Sequence, residues 1–144
     1  MKKIIASFVI LISVATHAQD NVLSVTANTT GAPASVSFSE LQNIFLGNQP
    51  KWSNGDKVLI ALMKLTTAEG KATCDKLYRM SPDQVTKHWL ALSIRGTIDA
   101  PLFFNTAEEL QRFVSANPGA IGISANSATL PNSKTVLVDG KKTF

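Results

Sequence analysis

One cysteine, two histidines and one tyrosine in 144 residues leave few side chains suited to covalent or metal chemistry. The lone Cys74 cannot close a disulfide within the chain, even in an oxidising compartment. Its neighbours Ala72 and Leu77 mark it instead as a small apolar residue on the buried face of a helix. His17 falls in the N-terminal apolar segment and His88 has no acid or nucleophile at motif spacing. That excludes a metal-ligand cluster and a histidine-centred general acid–base pair. There are no paired carboxylates and no nucleophile elbow, so no catalytic residues are assigned, and neither an enzyme nor a cofactor is expected. Lysines and arginines are scattered without interleaved aromatics, so nucleic-acid binding has no footprint either.

Long apolar runs are also missing, with one exception at the start. Lys2 and Lys3 precede a run from Ile4 to Val14, and the small residues Ala15, Thr16 and Ala18 follow. Thr16 and Ala18 then occupy the −3 and −1 positions of a cut before Gln19. The run is shorter than the roughly 20 residues needed to cross a bilayer. The expectation is a signal peptide over 1–18 and one α/β domain over 19–144, in a periplasmic or secreted protein. No cysteine follows the cut, so no lipid attachment is expected, nor any membrane insertion after cleavage. Loss of Lys2 and Lys3 lowers the formal charge from +4 to +2, so the basic composition overstates the charge of the remainder.

The rest of the chain alternates strand and helix signals. Val22 to Asn28 alternates apolar and polar residues as a strand does. Thr29 to Val36 reads as a connection. Ser37 with Glu40 forms a capping box, Leu41, Ile44 and Phe45 follow at helical spacing, and Gly47 ends the helix. Lys57 to Lys64 is a near-continuous apolar run, expected for a strand covered on both faces. Thr66 or Thr67 caps the next helix, which runs to about Arg79. Ser81, Pro82 and Gln84 start another, with Val85, Trp89 and Leu92 on one face. Arg95 to Phe104 reads as a loop. Thr106 and Glu109 form a third capping box ahead of Leu110, Phe113 and Val114. Ala120 to Ser124 is a strand, and Asp139-Gly140 predicts a hairpin between Thr135–Val138 and Lys141–Phe144. The pattern predicts an α/β fold: a mostly parallel central sheet flanked by helices, with an antiparallel edge.

Three ordered segments resemble the phosphate-type substrate-binding proteins of ABC transporters. They are FSELQNIFLGNQPKW (Phe38 to Trp52), SPDQVTKHWLALSIRGTIDAP (Ser81 to Pro101) and NPGAIGIS (Asn117 to Ser124). The resemblance implies a single periplasmic-binding-protein-like domain, equivalent to one of the family's two. It also implies a non-enzymatic binding function, with a small oxyanion such as phosphate as ligand and an ABC permease as partner. In the family the strand matching Lys57 to Lys64 leads into an anion-holding loop at a helix start. Here that stretch reads LTTAEGKA, which assigns ligand binding to Thr66 and Thr67, with Lys64 and Lys71 supplying positive field. Glu69 in the same turn stabilises the helix and repels an incoming anion. The alternative is a cell-envelope interaction or assembly component that keeps the fold without the solute.

Overall fold

The computed structural model describes residues 22–144. The expected signal peptide over 1–18 and its expected cut before Gln19 lie outside the described residues.

Among the described residues six strands form one sheet in the order β2-β6-β1-β5-β3-β4. They are β1 (Ser24–Asn28), β2 (Ser35–Val36), β3 (Leu59–Met63), β4 (Leu102–Phe104), β5 (Ala120–Ser124) and β6 (Ser133–Val138). The β2–β6, β3–β4 and β3–β5 pairings are parallel, while β1 runs antiparallel to both β5 and β6. The sheet is mostly parallel as expected, but its antiparallel member is an interior strand rather than an edge.

Among the described residues four α-helices flank it: α1 (Phe38–Phe45), α2 (Ala68–Thr73), α3 (Pro82–Arg95) and α4 (Ala107–Ala116). Their starts are written locally. Ser37–Glu40 and Ser81–Gln84 form complete capping boxes. Thr106 caps α4 by accepting the Glu109 N–H, but the reciprocal bond from the Glu109 side chain is absent, so the third box is half formed. Gly47, just past α1, takes φ 82°, the left-handed conformation that ends a helix.

The larger core lies on one face of the sheet. There Val25, Ile60, Leu62, Ile121, Ile123 and Val136 meet Leu41, Ile44, Phe45, Leu77 and Trp89. Ile44, Phe45, Ile60, Trp89 and Ile121 are buried, whereas Leu59 and Phe113 are half-buried. A smaller cluster on the other face joins Ala61, Met63 and Ala120 to Leu110 and Val114 of α4. The polar side of β1 is buried too. Asn28 Nδ2 donates to the Val114 carbonyl (2.9 Å), tying β1 to the end of α4.

Helix α2 does not continue unbroken to Arg79. It passes at Cys74 into a π-helical turn, Cys74–Tyr78, which ends on Arg79 at φ 54°. The wider turn swings Tyr78 inward, where its hydroxyl donates to the Phe45 carbonyl (2.7 Å) and accepts from Trp89 Nε1 (3.2 Å). Two orphan carbonyls at the end of α1 are thereby satisfied from neighbouring elements, because His88 Nε2 lies 2.8 Å from the Leu46 carbonyl.

Two short strands were not legible as such. Arg95 to Phe104, read as a loop, contains β4, and Thr29 to Val36 contains β2. The Asp139-Gly140 turn forms, but beyond it only Lys141 pairs back, with Val138. Phe144 exchanges both backbone hydrogen bonds with Leu23 (3.0 and 2.9 Å) instead.

Candidate functional site

Parallel pairing of β3 with β5 brings their C-terminal ends out side by side, since Leu62 lies opposite Ile123. Each strand then turns into a loop. After β3, Thr67 takes the cap position of α2: its hydroxyl accepts the Gly70 N–H (3.0 Å) and donates to the Lys64 carbonyl (2.6 Å). After β5, Ser124 forms its own turn, its hydroxyl accepting from Asn126 N (3.3 Å).

Gly70 makes the junction possible. A Cβ there would lie 2.7 Å from the Lys64 carbonyl carbon and 2.9 Å from Leu65 Cα, inside any real contact distance. Only glycine lets the first turn of α2 fold back onto the end of β3.

The two loops are joined by a carboxylate. Glu69 Oε2 accepts the Ala125 N–H at 2.6 Å, across 56 positions of sequence. A negatively charged oxygen therefore lies at the mouth formed by the β5 exit and the start of α2, and it belongs to the chain itself. Charge-assisted bonds of this kind are short, as this one is.

Of the residues assigned from sequence, Thr66, Thr67, Lys64 and Lys71 all stand on this junction. Thr67 is committed to capping through both its donor and its acceptor. Thr66 is exposed and its hydroxyl has no protein partner among the described residues. Lys64 and Lys71 are exposed, and the ion pair present among the described residues is elsewhere, Lys57 with Asp99 at 3.6 Å. The backbone N–H of Ala125 was missed. Only the strand order brings it to α2, and no side-chain pattern marks it.

Other chemistry is muted. Burial, with Asp75 adding, raises the Cys74 thiol above its ordinary range, the opposite of an activated cysteine. Among the described residues no group of three or more His, Cys, Asp or Glu could hold a metal ion. No helix among them is long and apolar enough to cross a membrane.

No family model and no curated protein matches the sequence. Solved structures do match in fold. A candidate phosphate ABC transporter substrate-binding protein from Clostridium perfringens, solved with bound phosphate, superposes at TM-score 0.63 and 13% identity, over 83% of this chain and 45% of that one. An ABC-type phosphate transport receptor from Vibrio cholerae gives 0.62 and 12%, over 88% and 53%. PstS from Borrelia burgdorferi gives 0.63 and 11%, over 83% and 48%.

The fold is that of a phosphate-type substrate-binding protein. This chain spans about half the length of each matched structure.

Proposed function

We propose that the chain is an exported, non-enzymatic binding module, in which an oxyanion such as phosphate competes with Glu69 for the β3–α2 and β5 exits. The observation that carries this reading is the Glu69 carboxylate on the Ala125 N–H at 2.6 Å. A place that accepts one anionic oxygen has donors and local field suited to another. When Glu69 swings away, the Ala125 N–H and the Thr66 hydroxyl are the donors free to receive an anion. Lys64 and Lys71 add long-range attraction, and Thr67 shapes the turn rather than touching the ligand. Lys64, Thr66 and Lys71 are exposed, so an anion held here stays wet and the affinity falls, to roughly micromolar to millimolar Kd. Binding should weaken steeply with salt.

Calorimetry with phosphate and sulfate on wild type, Glu69→Gln and Thr66→Val tests the reading. Glu69→Gln should bind more tightly and Thr66→Val less tightly. Absence of binding by both wild type and Glu69→Gln at millimolar anion would overturn it.

A second reading, an interaction component of the cell envelope such as a permease partner, draws on a different observation. Leu90 and Ile94 lie one turn apart on α3 and are 60% and 79% exposed. Crosslinking from these positions in intact cells would reveal a partner, and clean monomer at both would remove this reading.

A further inference from the structure

Helix α4 carries a polar side chain on its apolar stripe. Its buried residues are Ala107, Leu110, Gln111 and Val114, and Gln111 is only 5% exposed. Burying an amide is costly unless its hydrogens find acceptors. Gln111 Nε2 donates to two consecutive carbonyls, Asn126 (3.1 Å) and Ser127 (3.0 Å), in the loop that leaves β5. Both hydrogens of the amide nitrogen are therefore engaged by one loop, 15 and 16 positions away in sequence.

The other bonds of that loop are longer. Ala125, Asn126 and Ser127 are exposed. Ser124 Oγ and Asn126 bond to each other within the turn (3.2 and 3.3 Å), and Ala128 N donates to Thr135 Oγ1 at 3.3 Å. The shorter bonds come from two helices. Gln111 of α4 holds the carbonyls, and Glu69 of α2 accepts the Ala125 N–H at 2.6 Å. A trans peptide points its C=O and its N–H in opposite directions. The bond to the Asn126 carbonyl thus turns the Ser127 N–H away from Gln111, and that N–H has no partner among the described residues.

We infer that Gln111 is a positioning residue for the β5 exit, holding the loop from α4 so that the Ala125 and Ser127 N–H groups stay presented to an anion when Glu69 leaves. This role rests on the reading of Glu69 as an internal competitor of that anion. Gln111 itself does not touch the ligand. If Glu69 were the main hold, its departure would free the loop, and binding would carry the entropy cost of ordering three exposed residues. With two carbonyls fixed by a buried amide on another helix, the loop is preorganised. Departure of Glu69 then uncovers a donor already in place. A specific dependence follows: removing the Glu69 charge tightens anion binding only while Gln111 holds the loop.

Gln111→Met keeps the length of the side chain without its donors, and Gln111→Glu keeps its shape with acceptors only. Solvent exchange of backbone amides, followed by NMR, reads the loop with no ligand present. In both variants exchange at Ala125 should rise about tenfold relative to that at Ile121 in the sheet interior. No rise at Ala125, or an equal rise at Ile121 that marks general loosening, would overturn the inference. Calorimetry with inorganic phosphate then reads the site. Adding Gln111→Met to Glu69→Gln should raise the Kd about tenfold, and an unchanged Kd would overturn the role even where the loop loosens. Phosphate should also shift the Ala125 and Ser127 amides of Glu69→Gln. Absence of phosphate binding by Glu69→Gln alone would remove the anion reading, and this role of Gln111 with it. The ligand-free exchange at Ala125 tells that failure apart from a failure of Gln111 to hold the loop.

Discussion

Gly70 packs directly on the Lys64 carbonyl, leaving no room for a Cβ between the first turn of α2 and the end of β3. In an open helix Gly→Ala gains about 1 kcal/mol from propensity. Here the clash is with backbone, which cannot rotate away, and overpacking costs about 1–3 kcal/mol. Gly70→Ala is therefore expected to lower stability in urea unfolding. It should also pull Glu69 from Ala125, which an amide chemical-shift change at Ala125 would report.

Trp89 is 3% exposed and its indole N–H ends the chain of bonds through Tyr78 to the Phe45 carbonyl. Trp89→Ala should cost about 3–5 kcal/mol. A loss below about 1 kcal/mol would mean the α3 interface contributes little to the fold.

Thr26 sits fully buried in the middle of β1, and its hydroxyl has no partner among the described residues. Thr26→Val replaces an unpaired hydroxyl by a methyl of similar shape. Stability should hold or rise, because an unsatisfied buried polar group costs about 1–3 kcal/mol. A clear loss in thermal melting would reveal a hydrogen bond that this reading lacks.

Burial pushes the Tyr78 hydroxyl well above the ordinary tyrosine range, with the Trp89 N–H partly opposing. The folded state thus holds the proton more tightly than the unfolded state. Its contribution to stability is complete below the unfolded value near pH 10 and is lost as pH rises beyond it. Melting temperature should fall between about pH 10 and 12, and Tyr78→Phe should flatten that fall while lowering stability at neutral pH.

Export supplies a test independent of the fold. N-terminal sequencing of secreted protein should begin near Gln19, and intact Met1 on cytoplasmic protein would contradict it.

Much of the architecture is local and was therefore legible. Ser37, Ser81 and Thr106 each start a helix because a side-chain oxygen three positions from a free N–H satisfies it, whatever lies elsewhere in the chain. The apolar runs at Ile60 and Ile121 read as buried strands for the same reason. Residues Leu102 to Phe104 read as loop because three residues carry no period, and only the exposed edge of β3 makes them a strand.

The candidate site divides along the same line. Thr66, Thr67, Lys64 and Lys71 follow from one strand-to-helix turn, which the sequence determines by itself. Glu69 was visible as an opposing charge, but its partner was not, since Ala125 lies 56 residues away and offers only a backbone N–H. Parallel pairing of β3 with β5 decides that meeting, whereas Gly70 is required by how tightly the first turn of α2 folds back onto Lys64. Capping and periodicity act within a few residues, so the chain states them directly. Strand order acts between residues that nothing but the folded sheet brings together.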